Sequence, residues 1–234
     1  MVDINALTAA NAQRWAKAKL IRNFTPVARH LVAPNAKARY QAVSVKTGVP
    51  WAVIAVIHER ECSQDWTASL AQGDPWNRAS VHVPAGRGPF RSWEDAAIDA
   101  LVNCAPYAAR NKDWSIGRTL AKLEQYNGLG YAARGRPSPY IWSGTDQYRS
   151  GKYVRDGVYD SNVVDSQPGC AGLLMAMMAL DPTIIFTGAT ITSSTPVKPI
   201  PSEKPAAPSI ANPAKGSIGA FIANIFNAVF RRKS

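Results

Sequence analysis

Pro50-Trp51-Ala52-Val53-Ile54-Ala55-Val56-Ile57-His58-Glu59-Arg60-Glu61-Cys62-Ser63 is the stretch on which the fold turns. It follows Thr47-Gly48-Val49, so proline falls near the first turn of a helix. The helix over 50–62 is apolar nearly all round, and a helix of that kind belongs at the centre of a core. Its last turn carries charge. A carboxyl at the end of a buried helix loses water, and desolvation keeps its proton on. A carboxyl still protonated at neutral pH is what the general acid of glycosidic cleavage requires. About 65 residues further on, Tyr126-Asn127-Gly128 supplies polar groups and a tight backbone around the same place. Together these features point to an enzyme that cuts a sugar polymer.

Outward from this helix the chain reads as mainly α. Residues 5–21 carry Leu7, Ala10, Trp15, Ala18 and Ile21 at helical spacing. A second helical pattern covers 25–46, broken near Pro34, with Lys37 and Arg39 on a solvated face. From Gly73 to Arg91 six glycines and prolines break any long helix. A small β-hairpin or cleft-lining loop is expected there, with Val81-His82-Val83 as a short strand. Helices return at 92–109, with Glu94 and Asp95 in the first turn where the helix dipole favours them, and at 114–126. Residues 127–162 are a long ordered loop whose tyrosines and Trp142 supply bulk, and long ordered loops usually carry function. Residues 169–180 close the core, and their methionines are packing.

Residues 1–188 thus form one catalytic domain. A Pro/Ser/Thr-rich linker follows over 189–215, extended and semi-rigid. Residues 216–234 form a basic amphipathic helix. Its apolar bulk, including Phe221, Ile222, Ile225 and Phe226, lies on one face, and Arg231, Arg232 and Lys233 close it. That is the signature of a helix lying on an anionic membrane, although docking on the domain or dimerisation would use the same face.

The chain has 234 residues, 46% hydrophobic, and a net charge of +11. Residues 189–234 hold six Lys/Arg and one Glu, a net of +5. The excess implies an acidic partner: an anionic membrane, an anionic cell wall or nucleic acid. No nucleic-acid motif accompanies the charge, so nucleic acid is not expected as a partner. The three cysteines, Cys62, Cys104 and Cys170, are too few and too widely spaced for a disulfide framework or a zinc site. Free thiols fit folding in a reducing cytoplasm. Residues 1–5 have no basic segment and no apolar core, so no cleavable signal peptide is expected. No run of 18 apolar residues marks a transmembrane helix.

Ile57-His58-Glu59-Arg60-Glu61-Cys62-Ser63 resembles the helix end of goose-type lysozymes and soluble lytic transglycosylases. There the catalytic Glu closes an apolar helix and is followed by Ser, where this chain has Cys62. Leu123-Glu124-Gln125-Tyr126-Asn127-Gly128 is similar to the Ala-Tyr-Asn-Ala-Gly motif of the same superfamily. A closer resemblance is to lysozyme-family endolysins of phages and prophages. It rests on Arg60-Glu61, Gly73-Asp74-Pro75-Trp76, Val83-Pro84-Ala85-Gly86-Arg87, Ser138-Pro139-Tyr140-Ile141-Trp142-Ser143-Gly144-Thr145 and Gly151-Lys152-Tyr153-Val154. It covers about residues 45–180. The Gly-Leu-Met-Gln loop of the transglycosylases is missing.

The resemblance implies a lysozyme-like fold with a small β-hairpin. It implies cleavage of the β-1,4 bond between N-acetylmuramic acid and N-acetylglucosamine in peptidoglycan, without metal or cofactor, by a monomer. The protein would be an endolysin, made in the host cytoplasm and acting on the periplasmic wall once a holin-like protein has opened the membrane. A lytic transglycosylase is the chemical alternative. A non-catalytic protein binding wall or membrane is the alternative of another class.

Glu59, Glu61 and Asp65 compete for the role of acid. Glu59 and Glu61 lie about 200° apart around a helix, so only one faces the site. Glu61 continues the face of Ile54 and Ile57, and the resemblance selects it too. Glu59 is then solvated or paired with an arginine, and His58 is a satisfied structural histidine. Asp74 is either a second carboxylate or a turn residue before proline. Tyr126 resembles the tyrosine that hydrogen-bonds the catalytic Glu, and Asn127 holds the loop or meets an acetamido group. Tyr140, Trp142 and Tyr153 either stack on sugars or form the loop's own core. Lys152 and Arg155 read as surface charges near an anionic polymer.

Overall fold

The computed structural model describes residues 1–155 and 157–188. The linker and the C-terminal segment, with Phe221, Ile222, Ile225, Phe226, Arg231, Arg232 and Lys233, lie outside the described residues. Among the described residues the chain is mainly helical, with one small antiparallel sheet. The helices are α1 (Ile4–Lys17), α2 (Thr25–Leu31), α3 (Pro34–Thr47), α4 (Trp51–Cys62), α5 (Trp93–Asn103), α6 (Ile116–Tyr126), α7 (Gly130–Ala133), α8 (Pro139–Trp142) and α9 (Cys170–Leu180). Strands β1 (Lys152–Arg155) and β2 (Val158–Asp160) pair Tyr153 with Tyr159.

Helix α4 is the centre. All residues from Ala52 to His58, and Arg60, are buried, and α2, α3, α6 and α9 pack around it. Gly48, in the left-handed region at φ 71°, ends α3. The chain then turns through Val49 and Pro50, so that α3 and α4 meet at 113°. Asp3 caps α1 by accepting from the Asn5 and Ala6 amides, and Ser92 caps α5 by accepting from the Asp95 amide. Among the described residues no single helix is long and apolar enough to cross a membrane.

Two glycines set how closely helices approach. At Gly117 of α6 an added methyl would sit 2.6 Å from the Thr8 carbonyl oxygen of α1. At Gly172 of α9 it would fall 2.2 Å from the Phe24 ring, which is itself fully buried. The second site has no room to relax. Gly172→Ala is expected to destabilise the fold by about 2–3 kcal/mol through overpacking, read as a lower denaturant midpoint with an unchanged slope.

Several expectations need correction. Of the two alternatives for residues 73–91, a small β-hairpin or a loop, the structure has the loop. That segment is a loop with turns, and Val81-His82-Val83 forms no strand, because the Val81 and His82 amides are spent on the Asp74 carboxylate. The hairpin lies instead within the Tyr-rich stretch after residue 150. Helix α1 stops at Lys17 rather than residue 21, since Leu20 bridges Thr145 and the Lys19 amide donates to Asp146. Helix α5 stops before Pro106, whose ring excludes a continued helix. Lys37 and Arg39 are not merely solvated. Lys37 pairs with Asp181 at 2.5 Å, and Arg39 pairs with Glu94 at 2.5 Å with its guanidinium 4.0 Å above the Trp66 ring. Lys152 is paired with Asp165 at 2.8 Å, while Arg155 is exposed.

Candidate functional site around Glu61

Helix α4 ends abruptly because Ser63 and Gln64 both take positive φ, 50° and 57°. The Ser63 amide returns to the Glu59 carbonyl and the Gln64 amide to the His58 carbonyl, so the last carbonyls are satisfied. Two left-handed non-glycine residues in succession cost about 1 kcal/mol or more each, and the surrounding contacts hold them. The Cys62 thiol donates to the Ser69 carbonyl at 3.2 Å, tying the following loop to the helix end.

Glu61 sits at this end, half-buried. Burial raises its carboxyl to about 7, against the hydrogen bond from Tyr140 and the charge of Arg60, which both lower it. The Tyr140 hydroxyl donates to Glu61 Oε1 at 2.7 Å. That leaves Oε2 and the proton for another partner. Glu61 is therefore largely protonated below pH 7 while keeping access to solvent.

Behind Tyr140 stands a buried ion pair, Arg60 with Asp165. The Arg60 guanidinium lies 4.6 Å from the Tyr140 ring centre. Its Nη2 donates to Asp165 at 3.2 Å and its Nη1 to the Pro168 carbonyl at 3.1 Å. The side chains of Arg60 and Asp165 are 4% and 2% exposed, so the pair is dry. Burial opposes charge on Asp165, but Arg60 and Lys152 outweigh it and hold the carboxyl below its usual range. The order Lys152–Asp165–Arg60–Tyr140–Glu61 links the hairpin to the helix end.

The other acids of the helix end have structural duties. Glu59 accepts from Gln64 at 3.1 Å and has no arginine partner among its described contacts. The Asp65 carboxylate accepts from the Thr67 amide and hydroxyl. His58 is fully buried, bonded to the Tyr40 hydroxyl at 2.9 Å and the Asp65 carbonyl at 3.1 Å, within van der Waals reach of Trp66 and Trp93. Burial pushes it down to about 4, so it is neutral.

Asp74 is buried and its carboxylate is fully engaged. Oδ1 meets the His82 ring at 2.7 Å, and Oδ2 accepts the Val81 and His82 amides at 2.9 Å. Burial works against its charge, but these bonds win and hold it below the usual carboxylate range. It braces the loop. Tyr126 does not hydrogen-bond Glu61; that place belongs to Tyr140. The Tyr126 hydroxyl is buried without a partner, and the Glu61 charge acts on it, so an unused donor stands close to the acid. Asn127 is half-buried at the C-cap of α6.

Tyr140 and Trp142 are fully buried and offer no face to a sugar. Tyr140 supports the acid, and Trp142 donates to Asn11 in the core at 3.2 Å. Tyr153 keeps partial exposure. It stands edge-on to Tyr131 and Tyr159, and its hydroxyl accepts from Arg134 at 2.9 Å.

Sequence reasoning missed Asp165, whose neighbours Val164 and Ser166 give no periodic signal, and Glu124, two residues before the Tyr-Asn-Gly motif. Glu124 is 1% exposed. One oxygen accepts weakly from Asn11 at 3.4 Å and the other has no partner. Burial raises its carboxyl to about 7, against Asn11 and Arg14. Its folded pKa lies above the unfolded value near 4.3. Stability is therefore complete below about pH 4 and is lost as pH rises through about 7. Glu124→Gln is expected to leave stability unchanged near pH 4 and raise it by about 1–3 kcal/mol at pH 8, measured by urea unfolding at both values.

No family model, no curated protein and no solved structure matches this chain, so the geometry of the Glu61 site carries the functional reading.

Proposed function

We propose that the chain is a peptidoglycan-cleaving muramidase of lysozyme-like fold with Glu61 as general acid. The observation that carries this is the half-buried Glu61 carboxyl, raised to about 7 and held by the Tyr140 hydroxyl at 2.7 Å. The proton on Glu61 would pass to the leaving glycosidic oxygen between N-acetylmuramic acid and N-acetylglucosamine. Tyr140 would then stabilise the carboxylate that forms, and Arg60 would favour it electrostatically. The unpartnered Tyr126 hydroxyl is a donor for the same carboxylate or for the sugar. Tyr153 and Asn127 are the remaining candidates for contact with the glycan.

One observation favours the transglycosylase outcome as a second reading. The Asp74 carboxylate is saturated by three hydrogen bonds, so it is poorly placed to activate water. In a transglycosylase the 6-hydroxyl of the substrate attacks instead, and no second carboxylate is needed. Digestion of purified Gram-negative peptidoglycan with products read by mass spectrometry separates the two. Reducing muramic ends establish hydrolysis, anhydromuramic ends establish the transglycosylase, and no products from the wild type would overturn both.

The setting we propose is endolysis. The chain would be made in the host cytoplasm, reach the periplasm through a lesion in the membrane, and act there as a monomer on the glycan. The segment 216–234 would meet anionic lipid. Deleting residues 217–234 is expected to spare cleavage of purified wall and to lower binding to anionic liposomes; unchanged liposome binding would remove the tail from the account.

A further inference from the structure

The N-terminal half of α6 borders an open cleft of about 600 Å³, away from Glu61. Arg118 lies on the order of 12 Å along the helix axis from Tyr126, on which the Glu61 charge acts. The cleft is lined by Asn5 and Thr8 of α1, by Tyr107, and by four cations, Arg110, Lys112, Arg118 and Lys122. A single carboxylate, Asp113, shares the lining. Asp113 Oδ1 accepts the Ser115 amide at 2.8 Å at the start of α6, and the Arg118 charge adds to the bonds with Ser115 in holding its carboxyl below the usual range, so it offsets one of the four cations.

None of the four cations stands in an ion pair among the described residues. Lys122 is the most telling. It is half-buried, and its ammonium donates only to neutral oxygens, the Pro106 carbonyl at 3.2 Å and the Gln125 side chain at 2.7 Å. Burial and the neighbouring Arg118 both push its pKa down, the mark of a positive charge without a counter-ion. Arg110 is held in place, with its guanidinium 3.9 Å from the Tyr107 ring. A stacked arginine is oriented before any ligand arrives and keeps its outer N–H groups free.

A net of three positive charges around a concave surface, with guanidinium forks beside an ammonium, suits an anion with several oxygens. Arg110 covers one face of Tyr107, the one aromatic ring in the lining, which leaves little surface for stacking the bases of a nucleic acid. We propose that this cleft binds a phosphate group, carried either by a small soluble anion or by the headgroup of an anionic lipid. The site is independent of the Glu61 chemistry.

The test uses the full chain and pyrophosphate as probe, followed by amide NMR at low salt. Chemical-shift changes are expected to cluster within residues 106–122. Arg118→Gln/Lys122→Gln should weaken binding about tenfold or more. Arg110→Gln/Arg118→Gln serves as a second variant that leaves the Lys122 bonds intact. Both should retain wild-type glycan cleavage. Pyrophosphate binding that is absent, scattered over the surface, or unchanged in both variants would overturn the site. Sedimentation with phosphatidylglycerol and phosphatidylcholine vesicles identifies the source. Weaker binding of the variants to the anionic vesicles assigns a lipid headgroup, whereas weaker binding to pyrophosphate alone assigns a small anion. A DNA duplex bound through the same residues more tightly than either probe would overturn the assignment in favour of nucleic acid.

Discussion

Replacing Glu61 with glutamine is expected to cut glycan cleavage steeply and, in the same molecule, to stabilise the fold above pH 7. The folded carboxyl is raised to about 7, against about 4.3 in an unfolded chain. Between those values the folded state holds a proton that the unfolded state has released. Stability therefore falls as pH rises through that window, and is fully present only below it. Glutamine keeps the size and the acceptor for Tyr140 without the charge. At pH 8 the variant should gain about 1–3 kcal/mol, and near pH 4 the two proteins should unfold alike. Cleavage should drop by about 10²–10⁴-fold, the range set by the loss of a general acid. Because Glu124 titrates in the same window, the measurement is best made in a Glu124→Gln background, where the remaining pH dependence reports Glu61. Equal pH dependence with and without Glu61 would place its pKa in the ordinary range and remove the basis of the mechanism.

The second large effect is expected at Asp165. Asp165→Ala removes the partner of a dry guanidinium and of Lys152 together. Breaking a buried pair by deleting one member typically costs about 3–5 kcal/mol, since the other charge stays buried and unpaired. Chemical denaturation should show a loss of that size. The double variant Arg60→Met/Asp165→Leu should recover much of it, as apolar replacement of both partners removes the uncompensated charge. The recovered variant also separates positioning from stability. Arg60 lies over the Tyr140 ring, and Tyr140 holds Glu61. Without the cation the Glu61 carboxyl loses an interaction that lowers its pKa. The basic limb of the pH–rate profile should then move to higher pH, while a purely structural role would leave the profile in place.

The central helix and the half-buried Glu61 carboxyl at its end were legible from the sequence because they rest on local pattern. A stretch apolar on every side has one stable location, and a facing argument over two residues chooses Glu61 over Glu59. The break near Pro34 follows from the proline ring, whereas the helix expected over 92–109 ran through Pro106 and ends at Asn103. What stayed illegible depends on partners distant in sequence. Asp165 meets Arg60 across 105 residues, and Tyr140 meets Glu61 across 79. Neither pairing leaves a periodic trace. A strand at Val81-His82-Val83 was one of two alternatives because the segment has strand propensity, yet Asp74 takes up the Val81 and His82 amides and the segment is a loop. Propensity yields there to a buried carboxylate that must be satisfied. The aromatic residues of the long loop could be named but not sorted, since burial separates Tyr140 and Trp142, both enclosed, from the half-exposed Tyr153.

The pH dependence of cleavage of purified peptidoglycan by the wild type tests the account most directly. A general acid raised to about 7 predicts cleavage that is sustained below neutrality and falls as pH rises through about 7. Cleavage that stays level to pH 9, or no release of glycan fragments at any pH, would contradict a protonated Glu61 as the acid.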